Sequence, residues 1–241
     1  MALFVGTSGW AYKEWKGGFY PPDLAEARFL EYYARVLDAC EVNATFYRLQ
    51  SEKTFSRWAE TTPASFRFAV KAHRRLTHSR SLAPSPGSEA FQETFSRSLQ
   101  ALGDRLACVL FQFPPDTIRE DAELERLLEA LPSQPPPVLE FQDESWEAEQ
   151  ARRQLEEAGV SVCLSDSTGT PPRALPPGPI AYVRLRAPRY DEDQRAEWLA
   201  LLEREGERRD VYAFAKHEGV PAGDPFAGVG LAQWLVQNSS T

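Results

Sequence analysis

Short runs of β-branched and aromatic residues alternate along the chain with longer segments in which apolar residues recur every three or four positions. The short runs are typical of buried strands, and the longer segments are typical of amphipathic helices. We predict eight strands, at 3–6, 40–46, 66–73, 106–113, 138–142, 160–166, 181–187 and 210–217. We predict helices at 24–39, 53–62, 89–104, 120–132, 145–159, 192–206 and 224–237. The last helix is expected to begin with Asp224 as its N-cap and Pro225 at its first helical position.

This alternation predicts parallel strands joined by right-handed crossovers. Eight such units close into an α/β TIM (β/α)8 barrel, which we expect to span residues 1–241 as a single domain. Residues 167–179 contain five prolines, so the helix after strand six is expected to be missing or replaced by a loop. An open doubly wound sheet is the alternative fold. It normally carries GxGxxG after its first strand, whereas this chain has GTSGW at 6–10.

Polar residues gather at the C-terminal ends of the predicted strands, where a barrel of this class carries its active site. Parallel strands are normally apolar on both faces, and buried charges are costly unless they are paired. Charges such as Glu41 and Lys71 within these strands therefore indicate a polar ligand. The candidate catalytic residues are Glu41, Glu140 and Asp166. The candidate substrate-binding residues are Thr7, Ser8, Trp10, Asn43, Thr45, Tyr47, Lys71, His73, Gln112, Arg184, Arg186 and Lys216.

The residue types at these strand ends favour a small anionic ligand. Ammonium and guanidinium groups bind carboxylates and phosphates, and four of the candidates carry one, namely Lys71, Arg184, Arg186 and Lys216. Glu41 and Glu140 fit acid/base or electrostatic roles, but the sequence does not give the distance between them. In the first predicted loop, Trp10 and Trp15 are expected to wall the pocket or to plug the loop.

A divalent metal is an open alternative, because imidazole and carboxylate ligands suit such ions. The residues that could supply them are His73, Glu140, Asp166, His217 and Glu218. The chain has neither HExxH nor clustered Cys/His spacing, so we assign no metal ligand and no cofactor.

Composition limits the binding partners that the protein can have and the cellular compartment in which we expect it. The formal net charge of −8 argues against binding to duplex nucleic acid, which needs a basic field. The three cysteines are odd in number and form no CxxC pair, so no disulfide framework is expected. The first residues lack the pattern of a secretory signal, and no apolar run approaches the length of a membrane span. We expect a cytoplasmic protein without a membrane partner and leave its oligomeric state open.

Several long motifs, in order along nearly the whole chain, resemble the YecE-like family, also catalogued as domain of unknown function seventy-two. They are GTSGWAYKEWKGGFYPP (6–22), the stretch 32–78, LFQFPP (110–115), LEFQDESW (139–146), YVRLR (182–186) and VYAFAKHE (211–218). The resemblance implies a TIM barrel whose activity is unassigned. The family pattern after strand five resembles Glu-Phe-Arg-x-x-Ser-Trp, whereas this chain has Gln142 in place of the arginine. After strand seven, Arg186-Ala187 stands where a His-Gly pair is common.

Together these observations predict an enzyme, hydrolase-like, that acts on a small polar or anionic molecule at the C-terminal mouth of a barrel. A metal-dependent phosphoesterase is one alternative. A non-catalytic ligand-binding or nucleic-acid-binding module is the other, and the basic cluster at 71–80 is the stretch that favours it.

Overall fold

A closed barrel of eight parallel strands forms the centre of the computed structural model, which describes residues 1–78, 82, 87–132, 134–216 and 219–240. The strands follow one another around the barrel in sequence order, and the eighth pairs with the first. They are β1 Leu3–Thr7, β2 Ala39–Val42, β3 Arg67–Lys71, β4 Leu106–Gln112, β5 Pro137–Glu140, β6 Ser161–Asp166, β7 Ala181–Leu185 and β8 Val211–Ala215. The predicted TIM barrel is confirmed.

Helices connect the strands on the outside of the barrel. They are α1 Phe29–Tyr33, α2 Ala44–Tyr47, α3 Glu52–Thr61, α4 Arg74–Thr77, α5 Glu89–Leu99, α6 Asp121–Ala130, α7 Glu149–Glu157, α8 Glu192–Gly206 and α9 Gly228–Asn238. Short 3-10 segments lie at Lys13–Trp15, Glu26–Arg28, Gln100–Arg105 and Glu144–Glu147.

The connection from β6 to β7 differs from the others, as predicted. Residues 167–180, all of which the structure describes, contain no helix. The loop is held to α8 instead, because the indole Nε1 of Trp198 donates a hydrogen bond to Gly169 O at 3.0 Å.

Several predicted boundaries were wrong, and hydrogen bonds explain two of them. The helix predicted at 24–39 is confined to α1, since the Asp38 amide donates to Val5 O at 3.1 Å and draws the chain back into the sheet. The strand predicted at 40–46 ends at Val42, because the Thr45 hydroxyl donates to Val42 O at 2.9 Å and closes a turn. The strand predicted at 66–73 ends at Lys71.

The start of the last helix was also predicted too early. Asp224 is not its N-cap, because the Asp224 carboxylate accepts from the Phe226 amide and pairs with Arg189. The helix begins at Gly228, whose φ of +54° is a conformation that favours glycine.

Inward and outward residues alternate along each strand and separate into two buried apolar clusters. The outward cluster packs beneath the helices and includes Val183 and Leu185 of β7. The inward cluster fills the barrel and contains Ala39, Ala69, Cys108, Leu110, Val138, Cys163, Ile180, Tyr182, Tyr212 and Phe214. Because side chains alternate with a period of two, the next inward positions of five strands are Glu41, Lys71, Gln112, Glu140 and Arg184. An apolar layer therefore lies below a polar and charged layer at the C-terminal end.

The close approach of β1 and β2 determines the start of the first loop. A Cβ on Gly6 would lie 1.8 Å from Ala39 O, so any other residue there would push the strands apart. The buried hydroxyl of Tyr33 joins the two strands beside this contact, accepting from the Thr7 amide at 2.8 Å and donating to Ala39 O at 2.9 Å.

Candidate active site

Arg184 lies between two carboxylates at the mouth of the barrel. Its NH1 donates to both carboxylate oxygens of Glu140, at 3.1 and 2.8 Å, and its NH2 donates to Glu41 Oε1 at 3.0 Å. The three side chains are buried, with 4% or less of each exposed. The group holds two carboxylates for one guanidinium, an arrangement that is stable in the interior only while every member keeps its partners.

Glu41 has further donors that favour its ionised form. The Tyr182 hydroxyl donates to Glu41 Oε2 at 2.8 Å, and Asn43 Nδ2 donates to Glu41 Oε1 at 3.0 Å. Burial by itself raises the pKa of Glu41, but the Arg184 guanidinium and these hydrogen bonds outweigh burial and hold the pKa below its ordinary value. Glu41 is therefore an ionised carboxylate at neutral pH.

Lys71 extends from β3 beside this group. Its Nζ donates a hydrogen bond to Gln112 Oε1 and lies 4.1 Å from the centroid of the Phe46 ring. Burial, followed by the positive charge of Arg184, lowers the pKa of Lys71, and the carboxylates of Glu41 and Glu140 only partly offset this effect. Lys71 thus has a larger fraction of neutral amine than an exposed lysine has at the same pH.

A cavity of about 480 Å³ opens above this layer at the C-terminal ends of the strands. Eight of the predicted site residues line it: Ser8, Asn43, Tyr47, Lys71, Gln112, Arg184, Arg186 and Lys216. Tyr12 and Ala44, which the sequence reasoning missed, complete the described lining. Four of these described lining residues are cationic and none is acidic. The cavity therefore presents a positive wall, with Glu41 and Glu140 bound to Arg184 outside its lining.

Tyr12 and Tyr182 are the aromatic residues near the mouth that the sequence reasoning missed. The Tyr12 hydroxyl donates to Ser8 O at 2.6 Å and stabilises the first loop. Tyr182 stands two residues before Arg184 on β7, so the two-residue period of the strand could have placed it directly below the arginine.

Three predicted site residues near the mouth do not line the cavity, because their side chains hydrogen-bond to backbone groups. They are Thr7, Thr45 and His73. The Thr7 hydroxyl donates to Gly9 O at 2.7 Å, and the Thr45 hydroxyl donates to Lys71 O at 2.7 Å as well as to β2. His73 is the N-cap of α4, where its Nδ1 accepts from the Arg75 amide at 3.1 Å. These contacts assign the three side chains to loop positioning.

Asp166, predicted as catalytic, holds the loop that follows β6. Its carboxylate accepts from the amides of Thr168 and Gly169 at 2.9 and 3.0 Å, and from the Tyr190 hydroxyl at 2.6 Å. The side chain is buried and is absent from the described lining of the mouth cavity. Its catalytic role stays a prediction without a supporting contact.

Trp10 lies at a different cavity. Together with Trp58 it lines a space of about 290 Å³ on the flank of the barrel, beside Lys53 and Arg57 of α3. The rings of Trp10 and Trp58 meet edge to face, with centroids 5.0 Å apart. Trp15 is buried to 2% exposure. The two roles predicted for these tryptophans were to wall the pocket or to plug the first loop. The buried Trp15 has the second role.

The described residues do not assemble a metal site. Among them, no group of three or more His, Cys, Asp or Glu side chains could hold an ion. His217 and Glu218, two of the ligands considered from the sequence, lie outside the described residues.

Cys40, Cys108 and Cys163 are buried thiols without disulfide bonds.

Throughout the part of the chain that the structure describes, the helices lack the combination of length and apolar character needed to cross a bilayer.

The closed parallel barrel, with its polar layer and cavity at the C-terminal ends of the strands, defines a protein of the TIM-barrel class. Within this class, the family described as "Protein of unknown function DUF72" matches residues 4–234, and the chain belongs to this family. This result agrees with the YecE-like resemblance found from the motifs.

Known relatives agree with this assignment. UPF0759 protein YunF of Bacillus subtilis (strain 168) is 32% identical over 149 residues, which are 60% of this chain and 52% of the relative. The match thus spans about half the length of that curated relative. The crystal structure of a DUF72 family protein of Thermotoga maritima MSB8 covers 98% of both chains at 23% identity, with a TM-score of 0.79. The crystal structure of a DUF72 family protein of Enterococcus faecalis V583 covers 99% of this chain and 97% of the Enterococcus chain, at 15% identity and a TM-score of 0.74. These structures support the fold alone.

Proposed function

We propose that this protein is an enzyme that binds a small anionic molecule in the cavity at the mouth of the barrel. The observation that carries the proposal is the lining of that cavity, which among its described residues holds four cations and no carboxylate. Cationic side chains that converge on one concave space bind carboxylates and phosphates by charge-assisted hydrogen bonds.

The energetic cost of the charged layer supports a functional role for it. Buried ion pairs seldom stabilise a protein more than apolar residues of similar volume would. Arg184, Glu41 and Glu140 nevertheless occupy positions directly above an apolar barrel interior. Such an arrangement is characteristic of active sites, where groups with perturbed pKa values cluster in a cleft, and the lowered pKa of Lys71 belongs to the same pattern.

Within this proposal, Glu41 and Glu140 act electrostatically rather than as a proton-transfer pair. Each of their carboxylate oxygens accepts a hydrogen bond from Arg184 or from Tyr182. They hold the Arg184 guanidinium at the floor of the cavity and limit the positive charge there. The hydrolase predicted from the sequence would need a carboxylate that activates water, and the contacts of these two glutamates do not favour that role.

Anion binding is testable by thermal unfolding with inorganic phosphate or oxalate, at an ionic strength held constant with sodium chloride. A ligand that binds only the folded state raises the melting temperature with its concentration. We expect Arg186→Gln and Lys216→Gln each to weaken binding about tenfold or more, because hydrogen bonds to charged groups contribute about 1.5–3 kcal/mol.

Lys53→Gln is the matched control, because it removes one positive charge from the flank cavity instead of the mouth. It should leave the affinity unchanged. If neither anion stabilises the protein, or if Lys53→Gln weakens binding as much as the mouth variants do, the proposal is wrong.

The two alternatives from the sequence have less support. Among the described residues no group of three or more His, Cys, Asp or Glu side chains could hold the ion of a metal-dependent phosphoesterase, and elemental analysis of protein purified without chelator tests that function directly. Residues 79–80 of the basic cluster lie outside the described residues. Within its described part, the Arg75 guanidinium stacks on the Phe91 ring at 4.5 Å, which engages it in packing rather than leaving it to bind nucleic acid.

A further inference from the structure

We propose that Lys71 forms an imine with a carbonyl compound that carries a carboxylate or phosphate group. This inference rests on the proposed function, because the cationic wall of the mouth cavity would hold the anionic group while Lys71 meets the carbonyl carbon. It adds a substrate class and a covalent step to that function.

Lys71 has the position and the surroundings that imine formation requires. Its side chain lines the mouth cavity from the last residue of β3. The contacts with Gln112 and with the Phe46 ring hold Nζ in one place. Burial or a neighbouring cation makes a lysine amine nucleophilic by lowering its pKa, and both act on Lys71, burial first and Arg184 second.

Other cations in the cavity can hold the anionic group of the substrate. Arg186 and Lys216 both line it. A guanidinium keeps its charge throughout the physiological pH range and binds a carboxylate or phosphate through two parallel hydrogen bonds. Arg186 is therefore suited to anchoring the anion, which leaves the Lys71 amine to react.

The covalent step balances without an oxidant or reductant. The neutral Lys71 amine attacks the carbonyl carbon, and a proton moves from nitrogen to oxygen to give a carbinolamine. The carbinolamine hydroxyl takes a proton from solvent and leaves as water, while the nitrogen lone pair forms the C=N bond. The net reaction consumes the carbonyl compound, the amine and one proton, and it yields a protonated imine and one water.

The surroundings of Lys71 suit each species in this step. The N–H that remains on the protonated imine can donate to Gln112 Oε1, the acceptor that Lys71 already uses. The carboxylates of Glu41 and Glu140 favour positive charge at this nitrogen. Asn43 also lines this cavity, and an amide side chain can form a hydrogen bond with the carbinolamine hydroxyl.

Reductive trapping tests the proposal. The protein is incubated with glyoxylate, an aldehyde that carries a carboxylate, and sodium cyanoborohydride, which reduces an imine to a stable secondary amine. The chain has only five lysines, Lys13, Lys16, Lys53, Lys71 and Lys216, so peptide mass mapping assigns each adduct. We expect Lys71 to be labelled faster than Lys13, Lys16 or Lys53, since its lowered pKa raises the fraction of neutral amine.

Three controls separate a site from general amine reactivity. Propanal, which lacks the anionic group, should show a smaller preference for Lys71 than glyoxylate does. Inorganic phosphate should slow labelling of Lys71 and leave that of Lys53 unchanged. Lys71→Arg keeps the positive charge but cannot form an imine, so it should lose the fast adduct, with folding checked by thermal unfolding.

Labelling of wild-type protein spread evenly over the lysines, or concentrated on Lys216, would overturn the assignment of Lys71. Such a result, together with phosphate binding that Arg186→Gln weakens, overturns the imine step and leaves the proposed function standing. Absence of both phosphate binding and preferential labelling overturns both.

Discussion

The Arg184 guanidinium binds Glu140 through a single nitrogen, NH1, which lies 3.1 and 2.8 Å from the two carboxylate oxygens. The other terminal nitrogen, NH2, is thereby available to Glu41 on β2, at 3.0 Å. One side chain on β7 thus joins β2 and β5, and the charged layer depends on it.

We expect Arg184→Met to lower the free energy of unfolding at pH 7 by about 3–5 kcal/mol, because removing one partner leaves buried charges uncompensated. Urea denaturation measures the loss. Adding Glu41→Gln and Glu140→Gln to this variant should restore most of the stability, since no buried charge of the group then remains. A triple variant as unstable as Arg184→Met would show that lost packing, rather than charge, causes the effect.

Glu41 should steepen the loss of stability in acid. Its pKa in the folded protein lies below the ordinary value of 4.5. A carboxylate of this kind contributes stability above its unfolded pKa, and the contribution disappears as the pH falls through the folded pKa. Below about pH 4.5 the free energy of unfolding of the wild type should therefore fall more steeply than that of Glu41→Gln. The exposed change Glu60→Gln on α3 should keep the wild-type slope, and equal slopes for Glu41→Gln and wild type would contradict the prediction.

Lys71 should have the opposite signature at high pH. Its folded pKa lies below the ordinary value of 10.5, so the cost of burying the ammonium is fully present below the folded pKa. As the pH rises from the folded pKa towards 10.5, the folded state loses its proton before the unfolded state does, and stability increases. The free energy of unfolding of the wild type should therefore rise relative to that of Lys71→Met between neutral pH and about pH 10. Lys53→Met on α3 should show no such relative change, and a constant difference for Lys71→Met would refute the assignment.

Gly6→Ala should destabilise the protein by about 3 kcal/mol, since overpacking a filled site costs this order of free energy. The added Cβ would meet Ala39 O at 1.8 Å, in a strand pair that cannot separate without losing the Tyr33 bridge. Gly223→Ala is the matched control, because its Cβ would have no neighbour within 4 Å. Thermal unfolding compares the two, and similar melting temperatures for both variants would show that β1 and β2 can move apart.

Much of the polar layer at the mouth could be predicted from the sequence. Alternation with a period of two is a local property of each strand, and the ends of parallel barrel strands meet at one mouth, so the sequence predicts Glu41, Lys71, Glu140 and Arg184 in one layer. The absence of a helix after β6 could also be predicted from local sequence, because proline lacks the amide N–H that a helix interior requires. For such features the information lies within a few consecutive residues.

Side chains whose partners come from other segments were harder to assign. Thr45 and His73 were predicted on the ligand-facing side of extended strands, but β2 ends at Val42 and β3 ends at Lys71. Their polar atoms bond to backbone groups of the turns that follow. Trp10 contacts Trp58 of α3, a partner that the path of the first loop decides.

Hydrophobic periodicity and proline content act locally, so the barrel, the alternation of its strands and the residue types at its mouth could be predicted from the sequence. Three features depend on the folded chain: Arg184 binds both glutamates, Asp166 holds a loop, and the described lining of the cavity is cationic without a carboxylate. The physical reason is that pairing between charges on β2, β5 and β7 depends on side-chain reach across a closed barrel. No single segment of the chain encodes that geometry.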